Sequence, residues 1–330
     1  MRCTKCVAWL GVAVCLAVGS RPLEAQLSEA PSSEAPSSEA PSSEAPSSEA
    51  PSLEELRRTA RVEVYVPPSD EEVLHAAQSF EELLRRGSTQ RALDGLARLG
   101  LERFIVNVNE ELVTVIREAP GDRRGWGVYA FRVAAVSNIL LQAPHSFADL
   151  HSGSLVERVF VEQNVRAAAW NTASRRAEVL TEGNEKTCQE GDCADLAHVD
   201  NSLFQAFTLA FAKTYPGGRV IQLHGFSTSA RKTPEGRRSE VVVSNGQRRP
   251  QPWLWSIDQC LEDRLCDVTS VFPEEVRELG ALTNRQGRLL RERKHDGFLH
   301  VELALPLRKQ LKGDRLLRRE LWRCLREGVR

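Results

Sequence analysis

The sequence has almost no net charge: 44 Lys and Arg against 45 Asp and Glu leave −1 over 330 residues. A polyanion-binding surface needs a basic excess, so nucleic acid is not an expected partner. The arginines that crowd the C-terminal part (Arg308, Arg315, Arg318, Arg319, Arg323, Arg326, Arg330) are interleaved with acids and read as a solvated helix face. No Gly-x-Ser-x-Gly elbow is present, which leaves a serine hydrolase built on Ser146 or Ser227 without its usual frame. The apolar run Val7 to Val18 is too short and wrongly flanked for a stable membrane span.

That run does fit a secretory signal. Arg2 and Lys5 precede it, and Leu23-Glu24-Ala25 offers a cleavage site, so residues 1–25 read as a signal peptide of a secreted or periplasmic protein. Cys3, Cys6 and Cys15 would leave with it. Of the remaining cysteines, Cys188 with Cys193 and Cys260 with Cys266 are the natural disulfide pairs in an oxidising compartment, with Cys324 left single. Neither pair has the two-residue spacing of a zinc knuckle. From Ser28 to Ser52 the unit Ser-Glu-Ala-Pro-Ser repeats five times. Proline in every unit forbids a continuous helix and nothing apolar is offered for burial, so residues 26–56 read as a disordered acidic tether. Residues 57–330 are then the folded domain.

Within that domain the pattern predicts an α/β fold. Helices are expected over Ser69 to Arg86 and Thr89 to Leu99, then a hairpin of Arg103 to Val108 and Leu112 to Ile116. Strands at 127–133 and Asn138 to Ala143 follow. Helices and strands then alternate: helix Ser154 to Gln163, strand Arg166 to Trp170, helix Asn201 to Thr214, strand Arg219 to Leu223, strand Ser239 to Ser244, helix Trp253 to Arg264, strand Leu299 to Ala304 and helix Gly313 to Arg326. This order implies a mixed, mainly parallel central sheet with helices on both faces.

Three strands carry the chemistry. Asn138 to Ala143 runs into Pro144-His145, with Asp149 four residues on, and Val220 to Leu223 runs into His224. Ligands of open α/β sheets gather at the carboxyl ends of strands. Two imidazoles and a carboxylate leave a fourth position open on a hydrolytic zinc, so His145, Asp149 and His224 are the candidate metal ligands. Glu302, in the otherwise apolar strand Leu299 to Leu305, is the candidate general base. His300 alternates in phase with it. Arg175 is placed to grip a substrate carboxylate, with Asn171 one helical turn away as a second donor. His198 is a candidate proton donor or lid residue, and Arg158 a partner of Asp149 or of substrate. His151 competes as a ligand, and His75 and His295 read as surface residues.

These residues resemble, in order, the landmarks of the zinc amidohydrolases that include N-formylglutamate amidohydrolase and poly-gamma-glutamate hydrolase, distant relatives of the zinc carboxypeptidases. The likeness spans roughly Gly127 to Leu307 through Pro144-His145-Ser146 with Asp149, Asn171 with Arg175, Leu223-His224-Gly225 and Val301-Glu302-Leu303. Asp149 stands where those families commonly have Glu. The resemblance implies zinc at His145, Asp149 and His224, Glu302 as base, and Asn171 with Arg175 on a small-molecule or peptide substrate bearing a carboxylate. The alternative expectation is a non-catalytic module on the same fold, holding a peptide or glycan through Arg175 and His198.

Overall fold

The computed structural model describes residues 51–121, 123–134, 137–180, 194–265 and 268–327. The signal peptide and nearly all of the repeat tether lie outside the described residues, as do Cys188, Cys193 and Cys266.

Ser52 caps α1 (Leu53–Thr59), which begins inside the span expected to be tether. It leads through β1 (Val62–Tyr65) to α2 (Asp70–Arg86), where Ser69 and Glu72 form the reciprocal capping box. Then come α3 (Gln90–Arg98) and the hairpin of β2 (Leu101–Val108) and β3 (Glu111–Glu118), turned by Asn109 and Glu110, both at positive φ. β4 (Val128–Phe131) and β5 (Ser137–Ala143) precede α4 (Ser152–Glu162), β6 (Val165–Trp170) and β7 (Ala173–Val179). The chain continues through α5 (Leu203–Thr214), β8 (Arg219–Phe226), α6 (Pro234–Arg238), β9 (Val241–Ser244), α7 (Pro252–Arg264) and β10 (Thr269–Val271). It ends in α8 (Arg285–Glu292), β11 (Phe298–Ala304), α9 (Leu305–Gly313) and α10 (Arg315–Leu325).

Nine strands form one sheet in the order β10-β9-β11-β8-β5-β6-β4-β3-β2, and β1 pairs with β7 in a small parallel sheet of its own. The sheet is mixed, but not mainly parallel. β6, β5, β8 and β11 run parallel as a central block, and β9 with β10 makes a parallel pair. The β2-β3-β4-β6 wing is antiparallel, as is the β11–β9 join. The predicted terminal helix, Gly313 to Arg326, is α10; α9 is a further helix before it, separated where Asp314 turns to cap α10.

Strand alternation sorts the core into two layers. Leu141, Leu223 and Val301 pack on one face with α1, α4, α7, α9 and α10. Leu140, Val220 and Phe298 pack on the other with α2, α3, α5 and α8. On this second face each strand turns polar toward its carboxyl end: Gln142 on β5, Gln222 and His224 on β8, His300 and Glu302 on β11. A buried amide network makes that transition. Gln222 donates to Gln142 and Gln286 (2.9 Å each), and Gln286 donates to Gln205 at 2.8 Å. Buried amides survive only when satisfied in this way.

The disulfide differs from those expected. Cys260 of α7 bonds Cys324 of α10, with Cα atoms 5.4 Å apart across 64 residues. The expected bridge of Cys260 with Cys266, and a single Cys324, are therefore corrected: helix packing across the sheet face brings two distant thiols together, and proximity in sequence did not decide the partner. The other expected bridge, Cys188 with Cys193, is not among the disulfides of the described residues, because Cys188 and Cys193 both fall outside them.

Candidate metal centre

The ends of β5 and β8 and the face of β11 build the site. The bonds that hold the loop after β5 include Asp149 N donating to His145 O, Ser152 N to Asp149 O, and Asn171 Nδ2 to Pro144 O. This aims the buried His145 ring at His224 of β8, ring against ring at 4.7 Å and nearly perpendicular. His224 lies opposite Glu302 in the parallel β8–β11 ladder, and His300 packs on the other side of its ring at 4.5 Å.

Three atoms converge. His145 Nδ1 is 3.2 Å from Asp149 Oδ2 and 3.2 Å from His224 Nδ1, and the third edge, His224 Nδ1 to Asp149 Oδ2, is 3.5 Å. Zinc ligands at 2.0–2.2 Å in tetrahedral geometry lie about 3.3–3.6 Å from one another, so the triangle is the size of one face of such a coordination shell. The far side of each ring sets its tautomer. His145 Nε2 faces Asp195 Oδ1 at 2.7 Å, and His224 Nε2 faces the amide oxygen of Gln222 at 3.3 Å. Both acceptors draw the ring proton to Nε2 and leave Nδ1 as a lone pair pointing inward. Gly225 N donates to Asp149 Oδ2 at 3.0 Å and fixes the carboxylate. Asp149 thus reaches both histidines despite its short side chain.

Without a cation, three lone pairs so close repel, and the proton that relieves this sits on His145. Burial alone would depress its pKa, but the bonds from Asp149 and Asp195 outweigh burial and raise it to about 9. Both carboxyls are in turn held below their ordinary range by the histidines, against the opposing effect of burial. Burial lowers His224, and lowers His300 strongly. Glu302 goes the other way: burial first, and the Asp149 charge second, lift it to about 8. Its Oε1 is 3.7 Å from His300 Nε2, while among the described residues no hydrogen-bond partner reaches Glu302 Oε2 or His300 Nδ1. A divalent cation held by His145, Asp149 and His224 would supply the positive charge that the His145 proton otherwise gives these buried carboxylates.

A cavity of about 530 Å³ opens over these groups, lined also by Arg175, His198, Arg231 and Asn284. Arg175 lies on strand β7, not one helical turn from Asn171; its Nη2 is 3.2 Å from Asp195 Oδ2. His198 Nδ1 is 3.2 Å from the same oxygen. The cavity does not include Asn171 or Arg158. Asn171 is fully buried, with Nδ2 donating to Pro144 O and Ala194 O and Oδ1 accepting from Ala173 N. Its amide is spent on joining loops, which corrects its expected substrate role. Arg158 is exposed on the outer side of α4, so it pairs with neither Asp149 nor the cavity. His151 caps α4 outside the cavity at φ 75°. His295 is buried, contrary to expectation, with its ring bonded to Tyr215 O at 3.2 Å.

Two residues of the site have no signal in sequence. Asp195 orients His145 from 50 residues away, and Arg231 enters from the turn after β8. His198 is a candidate from sequence, while the fully buried carboxylate of Asp195, three residues before it, makes more of the site's contacts.

No family model and no curated protein matches the chain. Solved structures with similar chain traces include an aspartoacylase family protein from Mesorhizobium loti (12% identity, 70% of this chain and 67% of that one, TM-score 0.34). Others come from Shewanella denitrificans: a protein provisionally named carboxypeptidase A (12%, 72% and 67%, TM-score 0.35) and one provisionally named a metallopeptidase (10%, 79% and 90%, TM-score 0.29). Scores this low carry no argument, so the function is read from the geometry of the site alone.

Proposed function

We propose that the chain is a secreted, metal-dependent hydrolase of an amide bond, with zinc held by His145, Asp149 and His224 and Glu302 as general base. The convergence of His145 Nδ1, Asp149 Oδ2 and His224 Nδ1 within 3.2–3.5 Å supports this reading best. When bound, the cation supplies Lewis acidity to water and to the amide carbonyl.

The chain's own residues do the rest. Glu302 Oε2, buried and without a hydrogen-bond partner, accepts the proton of the attacking water and passes it to the amine that leaves. Burial holds that carboxyl up to about 8, so Glu302 keeps the proton it has taken until the departing amine accepts it; a cation at His145, Asp149 and His224 would favour its ionised form beforehand. Arg175, anchored on Asp195, binds a carboxylate of the substrate, and His198 stands beside it. The disulfide Cys260–Cys324 is in keeping with an oxidising compartment.

The test is elemental analysis of the mature chain followed by hydrolysis of N-acylated amino acids. One divalent metal per chain is expected, lost in His145→Ala and His224→Ala. Glu302→Gln should keep the metal and lose turnover by about 10²-fold or more. A chain that binds no divalent cation, or a metal-loaded Glu302→Gln with full activity, removes the proposal.

A further inference from the structure

His300 is a buried ring that the hydrolytic scheme does not use. It stands two residues before Glu302 on β11, and both line the cavity. Their side chains are 5% and 11% exposed, and His300 Nε2 lies 3.7 Å from Glu302 Oε1, beyond hydrogen-bond reach. The strand order β11-β8-β5 puts this pair on one side of His224, with His145 and Asp149 on the other. The His224 ring meets both flanks, at 4.5 Å from the His300 ring and 4.7 Å from that of His145.

The flanks differ in how their polar atoms are met. On the β5 side, Asp149 Oδ2 is met by His145 Nδ1 and Gly225 N, and His145 Nδ1 also by His224 Nδ1. On the β11 side, Glu302 Oε2 and His300 Nδ1 have no hydrogen-bond partner among the described residues. Buried polar atoms are seldom left so. One ligand atom from each of His224, His300 and Glu302 falls within 4.8 Å of the other two. Ligands of one tetrahedral zinc lie about 3.3–3.6 Å apart, so a cation would draw this set in by about 1 Å. Two imidazoles and one carboxylate suit zinc or a similar first-row metal, and suit magnesium or calcium poorly.

We propose that His224, His300 and Glu302 form a second position for a divalent cation, an alternative to the one at His145, Asp149 and His224. Both positions use His224, and two dications this close in a buried site repel strongly. The chain therefore holds one at a time. Glu302 is a ligand in the second position, and only the first leaves it free as a base. The inference rests on the hydrolase reading only in taking the first set as the other place for the cation.

The experiment is calorimetric titration of the full mature chain with zinc, after chelation. The background disables the first position by His145→Gln with Asp149→Asn, both close to the original shapes. This background should bind one zinc per chain, more weakly than the wild type, so that the metal is seen on titration and not in the purified chain. Adding His300→Phe should weaken that binding by about tenfold or more, and so should Glu302→Gln, which keeps the shape of its side chain. The wild type should bind one zinc and no second. Circular dichroism verifies each fold, and Asp149→Asn alone serves as the background should the double variant fail to fold. The inference is overturned if the folded background binds no zinc, if His300→Phe or Glu302→Gln leaves its affinity unchanged, or if the wild type binds two. A background that binds as tightly as the wild type and fails on His300→Phe removes the first position, and the hydrolase reading with it, while the second stands. Zinc held by the wild type and by no background does the reverse.

Discussion

Asp195→Asn tests the centre most directly, because it changes no candidate ligand. Asp195 accepts from His145 Nε2 at 2.7 Å and from Ala197 N at 3.2 Å through the same oxygen, and is fully buried. Asparagine has the same shape, so the loop keeps its path. If its oxygen faces His145, the proton stays on Nε2 but the negative charge that makes Nδ1 a strong donor is gone. If its NH₂ faces His145, the proton must move to Nδ1 and block the ligand position. Loss of an outer partner of this kind costs about 10- to 100-fold in metal affinity, or about 1.4–2.7 kcal/mol. Arg175 and His198 also lose their shared carboxylate, but their side chains are 32% and 46% exposed, so water offsets most of that loss. The assay is competition for zinc against a chromogenic chelator, with circular dichroism to verify the fold. A folded variant whose zinc affinity stays within about twofold of the wild type, against the 10-fold minimum expected, would refute the tautomer argument and with it the convergence of Nδ1 atoms on a cation.

Other expectations concern stability. Asp258 of α7 is buried against Thr269, and burial, helped by Glu275 and Glu262, raises its carboxyl from 3.8 to about 6. The folded state therefore binds this proton more tightly than the unfolded chain. The penalty is full above about pH 6 and fades as pH falls toward 3.8. Asp258→Asn should accordingly stabilise at pH 7–8 by at most about 3 kcal/mol and by almost nothing near pH 4; denaturant melts at both pH values decide, and an equal effect at both would show that the fold does not tighten proton binding at Asp258. Replacing Cys260 and Cys324 together by alanine frees a loop of 64 residues and should cost up to about 4 kcal/mol. Peptide mapping without reduction should recover the 260–324 bridge, and a 260–266 bridge would contradict the helix packing. Gly297→Ala would set its Cβ 2.2 Å from the carbonyl oxygen of Gly218, at the base of β11. Relief requires the backbone to move, so a loss of about 1–3 kcal/mol or more is expected in thermal melts.

Much of the fold follows from local pattern. The boundaries of α2, α7 and β11 fall within a residue or two of the apolar periodicity and capping signals that predict them. Histidines at the ends of apolar strands marked His145 and His224, because alternation and a strand's carboxyl end are properties of a short segment. What was not legible depends on partners far away. Trp170 to Arg175 read as strand then helix, yet Arg175 is on β7, because β1 gives that segment an edge to pair with. Asp195 carries no local mark of its role, since its partner His145 lies in another loop. His295 next to Lys294 and Asp296 looked solvated, but the fold closes over it. Nearness along the chain points Cys260 to Cys266, whereas the packing of α7 on α10 gives it Cys324.

The in-register pairing of His224 with Glu302 has a wider consequence. Adjacent strands hold a fixed spacing of about 4.8 Å, so the gap between a candidate ligand and the candidate base is dictated by backbone ladder geometry, and loop flexibility has little say in it. Such a site is rigid and unforgiving. A slip of β11 by a single residue would turn both His300 and Glu302 into the opposite hydrophobic layer, leaving a chain that still folds its helices but has no acid–base group at the mouth. Insertions in the surrounding turns can reshape what enters the cavity, while the spacing at its floor stays where the sheet put it.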